Sequence, residues 1–80
     1  MNETEQEIID IVSAITKAPA HTIRLDTDLR LDLNVDSLQG LQIMAALEKR
    51  FKVEVPDDDL DAYTSVRAIV DTLARLRGRA

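Results

Sequence analysis

The sequence predicts an all-α fold: a four-helix bundle with three longer helices, a short third helix and a long loop between helices one and two. Apolar residues recur with helical spacing in three separate segments. The 80 residues suffice for a single domain, covering residues 1–80. The chain has no cysteine, which excludes disulfides and thiolate metal sites, so well-packed helices are expected to supply the stability.

The first helix is predicted over residues 3–18. Thr4 and Glu7 fit the T-x-x-E capping box at its start. One apolar stripe follows at the i, i+3, i+4 and i+7 positions, formed by Ile8, Ile11, Val12 and Ile15. Pro19 cannot easily continue the helix, which is therefore expected to end before it.

Residues 18–36 form a long connection, which is unusual in a small domain and often functional. Its apolar residues are expected to lie against the bundle: Ile23, Leu25, Leu29, Leu31 and Leu33. Asp26 and Asp28 resemble the start of a calcium loop. The third acid, the glycine and the distal glutamate of that motif are missing, so no metal site is expected.

The second helix is predicted from the segment DSLQGLQIMAALEKRFK. Its core face is expected to consist of Gly40, Ile43, Met44, Leu47 and Phe51. A second apolar line, formed by Leu38, Leu41 and Ala45, is turned away from that face. A helix with one buried face does not need this second line, so it is either covered by the long loop or left for a partner.

The remaining segments complete the predicted bundle. The run KVEV alternates like a strand but has nothing to pair with. Pro56, the acids after it and Leu60 predict the short helix. The last helix is expected to begin near Thr64 or Ser65 and to end at Gly78. Its apolar stripe consists of Val66, Ile69, Val70, Leu73 and Leu76.

Charge and composition narrow the function. The formal net charge of −5 argues against nucleic acid as a partner, since phosphate binding needs clustered Lys and Arg. No apolar run reaches the ~18 residues of a membrane span and no signal-peptide pattern is found, so a cytoplasmic location is expected. His21 is the only histidine and there is no G-x-S-x-G elbow, so a serine hydrolase is not expected.

Ser37 stands where the long connection becomes the second helix. Asp36 and Gln39 have the D-x-x-Q relation of a capping box, which places Ser37 at the first helical position with a free hydroxyl. A helix N-terminus presents unpaired N–H groups and favours a phosphate. The residues alone leave two roles open, a plain surface or cap serine and an attachment point for a phosphate-linked group.

The segments LNVDSL, ALEKRF, VEVPDDDL and YTSV, at these spacings, resemble the acyl carrier proteins over nearly the whole chain. The resemblance implies that a phosphopantetheinyl transferase attaches 4'-phosphopantetheine to Ser37. The thiol of that arm would carry acyl groups as thioesters to partner synthases, acyltransferases and ligases. The protein would have no catalytic residue and would not be an enzyme.

The resemblance also implies roles for the residues around Ser37. Asp36 and Leu38 would contact the transferase, and Leu41 and Ala45 would dock against partner enzymes. Glu48, together with the acids near Asp57, would meet basic patches on those partners. The core face that includes Ile43, Met44, Leu47, Ile69 and Val70 would part to shelter an acyl chain.

Some residues depart from the pattern of housekeeping fatty acid carriers. Gln39 and Gln42 stand where acids are common, and Asn34 replaces the glycine usual before the D-S-L tripeptide. From Ser37 to Phe51 there are one acid and two bases. These departures favour a carrier for a dedicated lipid, polyketide or other specialised pathway. The carrier is expected to be a monomer. A carrier of aminoacyl or peptidyl groups and an unmodified helical docking module remain as alternatives.

Overall fold

The structure is a computed structural model and describes residues 2–55 and 64–77. In this part of the chain the helices are α1 (Glu3–Thr16), a short 3-10 helix (Ala20–Thr22), α2 (Ser37–Phe51) and α3 (Val66–Arg77). These residues form no strand, only an isolated antiparallel bridge between Asp28 and Ser65. The all-α class is confirmed. The predicted short helix around Pro56 and Leu60 lies outside the described residues, so the four-helix count stays a prediction.

Asn2, and not Thr4, caps the N-terminus of α1. The Asn2 side chain accepts a hydrogen bond from the Glu5 N–H at 2.8 Å, and the Glu5 carboxylate accepts one from the Asn2 N–H at 3.0 Å. The predicted capping box of Thr4 and Glu7 is therefore wrong. Both pairs fit the same pattern, but asparagine caps at least as well as threonine. The earlier start also adds intrahelical hydrogen bonds.

All three α-helices contribute side chains to one hydrophobic core. The buried apolar residues of the helices are Ile8, Ile9 and Val12 in α1, Ile43, Met44 and Leu47 in α2, and Val66, Ile69 and Leu73 in α3. In α1 the buried sector includes Ile9, which the predicted stripe missed, whereas Ile11 and Ile15 are only partly buried. The physical reason is that α1 packs against both α2 and α3, so its buried sector is wider than one stripe.

Backbone hydrogen bonds tie the connection before α2 to the start of α3. The Arg67 N–H donates to the Leu25 carbonyl at 2.8 Å, and the Leu29 N–H donates to the Thr64 carbonyl at 2.9 Å. Ile23 and Leu29 are buried, and Leu25 and Leu33 are partly buried. The connection therefore supplies part of the core.

Leu31 is the exception within this connection, because its side chain is 83% exposed. The Asp28 carboxylate accepts hydrogen bonds from the N–H groups of Arg30 and Leu31, at 2.9 and 2.8 Å. Residues 29–33 therefore turn tightly, and the turn places Leu31 on its outer side. The expectation that Leu31 lies against the bundle is wrong.

Asn34 adopts a left-handed backbone conformation with φ 56°. Its N–H donates to the Arg30 carbonyl at 3.1 Å, which closes the turn before α2. Glycine reaches this region without steric cost, and asparagine tolerates it better than most other residues. This conformation is therefore one in which asparagine is tolerated at position 34.

The ends of α2 and α3 also follow local chemistry. Lys52 has φ 55° and ends α2 as a left-handed cap, so the chain turns back after the helix. Val55 of the segment that follows is buried, and residues 53–55 form no strand. The Ser65 hydroxyl accepts a hydrogen bond from the Ala68 N–H at 3.1 Å. The helix begins at Val66, directly after the predicted start near Thr64 or Ser65. The predicted end at Gly78 lies outside the described residues.

Candidate functional site

Asp36 caps the N-terminus of α2. Its backbone is extended, its side chain accepts a hydrogen bond from the Gln39 N–H at 2.8 Å, and its carbonyl accepts one from the Gly40 N–H at 2.8 Å. The predicted cap at Asp36 is confirmed. Within residues 2–55, the Gln39 side chain makes no return bond to the Asp36 N–H. Only half of the predicted capping box is therefore formed.

Ser37 is the first residue of α2, and its side chain is exposed. Its hydroxyl makes no hydrogen bond to the described part of the protein. The other two serines are half-buried and bonded: the Ser13 hydroxyl donates to the Ala18 carbonyl at 2.6 Å, and Ser65 caps α3. Ser37 therefore differs from both in being accessible and free to react.

The surroundings of Ser37 fit a phosphate-linked group. Among the described residues, the N–H groups of Ser37 and Leu38 have no acceptor, because the first hydrogen bonds of α2 start at Gln39 and Gly40. Unpaired N–H groups and the helix dipole both favour a phosphate at this end. The Asp36 carboxylate opposes it, but one of its oxygens is already bonded to the Gln39 N–H.

The backbone before Ser37 is anchored in the core. Val35 is buried, and its N–H donates to the Leu29 carbonyl at 2.9 Å. Leu29 is itself buried and bonded to Thr64 at the start of α3. The position of Ser37 is thus fixed relative to both α2 and α3, while its side chain reaches solvent.

One side of α2 is exposed beside Ser37. Leu38 is 64% exposed and Leu41 is 50% exposed, and Ala45 on the same side is also exposed. The connection before α2 does not cover these residues. The alternative in which the long loop covers the second apolar line is therefore wrong. We call the following residues, all exposed, the exposed α2 face: Leu38, Leu41, Gln42, Ala45 and Lys49.

Glu48 lies at the edge of this face and has a partner within the protein. It is half-buried, and its Oε2 accepts a hydrogen bond from the Val55 N–H at 2.8 Å. No local pattern in the sequence predicts this contact, because it depends on the chain turning back at Lys52. Glu48 therefore helps to hold the segment that follows α2.

Most of the core residues expected to shelter an acyl chain lie in one cluster. Ile43, Leu47 and Ile69 are buried in it, and Val70 is partly buried against it. Met44 is also buried. Among the described residues, no three side chains of the types His, Asp and Glu are grouped as a metal site would require. None of the described helices is both long and apolar enough to cross a membrane.

Comparisons with known proteins agree with this geometry. The family described as "Phosphopantetheine attachment site" matches residues 6–73. Acyl carrier protein 2 of Pseudomonas aeruginosa is 36% identical over 73 residues, which are 91% of this chain and 92% of that protein. The acyl carrier protein of Streptomyces coelicolor is 39% identical over 69 residues, which are 85% of this chain and 75% of that protein.

The matched region includes all three described α-helices except the ends of α1 and α3. Ser37, its capping residue Asp36 and the exposed α2 face all lie inside it. The resemblance inferred from the sequence motifs is therefore confirmed. The chain belongs to the acyl carrier protein family, whose members bear phosphopantetheine, work with acyl-processing enzymes and are carriers, not enzymes.

Proposed function

We propose that Ser37 is the residue that bears the 4'-phosphopantetheine arm. One observation carries this assignment: of the three serines in the sequence, Ser37 alone is exposed and has a hydroxyl that is free within the described structure. Ser13 and Ser65 use their hydroxyl groups in hydrogen bonds of the fold. Modifying either of them would break such a bond, whereas modifying Ser37 breaks none.

The chemistry of attachment needs little from this chain. The Ser37 hydroxyl loses its proton, its oxygen bonds to the phosphorus of the pantetheine phosphate of coenzyme A, and adenosine bisphosphate leaves. The N–H groups of Ser37 and Leu38, which have no acceptor among the described residues, would be available to the phosphodiester, and the dipole of α2 would favour its negative charge. When bound, the arm supplies the thiol that holds acyl groups as thioesters. No cysteine of the chain competes with it.

The chain around Ser37 is proposed to serve two classes of partner. Asp36 and Leu38 flank Ser37 and are placed to contact the phosphopantetheinyl transferase. Leu41 and Ala45 are exposed further along α2 and are proposed to dock synthases, acyltransferases or ligases. The apolar side chains of this face supply area that a partner can bury.

A dedicated lipid or polyketide pathway is proposed for this carrier. The support is the charge of α2: Gln39 and Gln42 are neutral, and Glu48, the only acid between Ser37 and Phe51, bonds to the Val55 N–H. Enzymes that recognise their carrier through several acids on this helix would find few here. Residues 1–80 are proposed to act as one monomeric carrier domain in the cytoplasm.

Intact mass spectrometry tests the assignment of Ser37. The purified protein is incubated with coenzyme A and a broad-specificity phosphopantetheinyl transferase. We expect one phosphopantetheinyl adduct on the wild type and none on Ser37→Ala. Ser13→Ala is the matched control and should accept the adduct, provided that circular dichroism shows it folded. An adduct on Ser37→Ala would place the arm elsewhere, and no adduct on folded wild type would favour the unmodified docking module.

A further inference from the structure

We propose that Gly40 opens the path by which an acyl chain on the arm folds back from Ser37 along α2 and enters the hydrophobic core. The inference rests on the proposed function, because the path begins at the attachment residue. It also names a class of cargo. A path that ends among buried apolar side chains fits an acyl chain with an apolar tail better than it fits an aminoacyl group.

The fold itself does not require a glycine at position 40. The Gly40 N–H donates to the Asp36 carbonyl at 2.8 Å, and its φ is not positive, so the backbone there is an ordinary helix. A Cβ built on Gly40 would meet no heavy atom within 4 Å beyond its chain neighbours and its own helix backbone, among the described residues. Glycine inside a helix lowers its stability relative to alanine. Neither backbone conformation nor packing therefore explains the glycine.

Ser37 and Gly40 begin the stripe of α2 that enters the core. Residues 37, 40, 44 and 47 have the i, i+3, i+7 and i+10 spacing, so they lie within about 80° of one another around the helix axis. Ser37 is exposed and Gly40 is half-buried. Met44 is 5% exposed and Leu47 is 0% exposed. The stripe thus leads from the attachment residue into the core, and Gly40 is the one position on it without a side chain.

The spacing along α2 suits an arm that bends back against the helix. With a rise of about 1.5 Å per residue, Gly40 lies about 4.5 Å and Leu47 about 15 Å along the axis from Ser37. A chain that follows this stripe crosses Gly40 first, where no side chain obstructs it. Met44 comes next, and it is buried but lies outside the main core cluster of the described residues. Its flexible side chain can therefore move aside without disturbing that cluster.

The chemistry of the stripe selects the cargo. Met44 and Leu47 are apolar, so each methylene of an acyl tail that is buried against them leaves water favourably. An aminoacyl group would place its charged amine against the same side chains, and burying an unpaired charge is unfavourable. The path beyond Gly40 therefore favours an acyl chain long enough to reach these residues.

Acylated forms of the carrier test the path without any partner enzyme. The transferase loads octanoyl or acetyl arms from the corresponding acyl-coenzyme A, and intact mass confirms one adduct per chain. Backbone amide shifts are measured by NMR, and melting temperatures by circular dichroism. In the wild type, the octanoyl form should shift the amides of Met44 and Leu47 relative to the acetyl form and should melt at a higher temperature.

Gly40→Ala separates this role from helix stability, because the two effects have opposite signs. The alanine should raise the melting temperature of the unloaded protein by roughly 2–8 °C. It should nevertheless reduce the difference in melting temperature between the octanoyl and acetyl forms. Gly40→Leu should abolish most of that difference and most of the amide shifts. Ala45→Leu is the matched control, since it adds the same side chain to the exposed α2 face and should leave both intact.

Three results would overturn the inference: octanoyl-dependent differences as large in the Gly40 variants as in the wild type, octanoyl and acetyl forms that are indistinguishable in the wild type, and equal losses in Ala45→Leu and Gly40→Leu. If circular dichroism shows Gly40→Leu unfolded, Gly40→Ala decides. Failure of the proposed function is a separate outcome. Intact mass that finds no adduct on the wild type, or an adduct retained by Ser37→Ala, would contradict the assignment of Ser37 itself.

Discussion

The Glu48 carboxylate accepts a hydrogen bond from the Val55 N–H at 2.8 Å and so joins α2 to the segment that follows it. Val55 is buried, and the left-handed Lys52 turns the chain back toward the helix. The only acid of α2 thus has a role in the fold. Any effect of changing Glu48 on a partner enzyme must be separated from an effect on the stability of this turn.

Glu48→Ala should therefore lower the free energy of unfolding by about 1–2 kcal/mol, because a partly buried N–H loses a charged acceptor. Glu48→Gln keeps an acceptor oxygen, so its free energy of unfolding should fall by less than that of Glu48→Ala. Urea unfolding followed by circular dichroism measures both. Glu54→Ala is the control, since Glu54 is exposed. A Glu48→Ala variant as stable as Glu54→Ala would show that the contact contributes nothing.

Leu47→Ala should cost about 2–5 kcal/mol in the free energy of unfolding, because Leu47 is 0% exposed and a cavity would remain. This is a large share of the stability of a small domain, typically 5–15 kcal/mol. Leu41→Ala in the same helix is the matched control and should cost less than about 1 kcal/mol, since half of that side chain is already in solvent. Thermal and urea melts that rank the two variants the other way would refute the assignment of the core face.

Asp36→Ala should destabilise the protein by about 1 kcal/mol through loss of the cap on α2. Asp36→Asn keeps the acceptor for the Gln39 N–H and should be nearly as stable as the wild type, so it isolates the effect of charge on loading by the transferase. Gln39→Ala should change stability by only a few tenths of a kcal/mol, because its side chain does not complete the capping box. If Gln39→Ala lost as much stability as Asp36→Ala, the Gln39 side chain would have to contribute to the cap, which would contradict the structure.

Asn34→Ala should cost about 1 kcal/mol, since an alanine at φ 56° is strained. Asn34→Gly relieves that strain but gives the unfolded chain more freedom, so its stability should stay within about 0.5 kcal/mol of the wild type. Leu31→Ala in the same turn is the control and should be nearly neutral, because Leu31 is almost fully exposed. Equal melting temperatures for Asn34→Ala and Leu31→Ala would argue against strain at Asn34.

The sequence predicted the features that depend on local rules. Helical spacing identified Ile43, Leu47 and Ile69 as core residues, and the capping preference of aspartate placed the start of α2 at Ser37. Both follow from the periodicity and the end groups of a single helix. The family was recognised from four segments taken together, LNVDSL, ALEKRF, VEVPDDDL and YTSV.

Features that depend on contacts between distant segments escaped prediction. Ile9 is buried because α1 packs against two helices at once, and the bond from Val55 to Glu48 needs the chain to return to α2. The prediction of Thr4 as the cap of α1 was wrong for a different reason. Asn2 and Thr4 both fit the same local pattern, and only the full helix shows that Asn2 is the cap. Leu31 was misplaced because its turn is set by the side chain of Asp28.

The buried Val35, bonded to Leu29, holds the backbone in place immediately before Ser37. A flexible arm attached there would swing from a stationary pivot, so the space searched by its thiol would be set by the rotatable bonds of the arm alone. Every enzyme that receives cargo from this carrier would then have to open its catalytic pocket within one arm's length of the same surface point. The length of the arm would therefore set the greatest depth at which any partner enzyme could place its catalytic residues, whatever the shape of that enzyme.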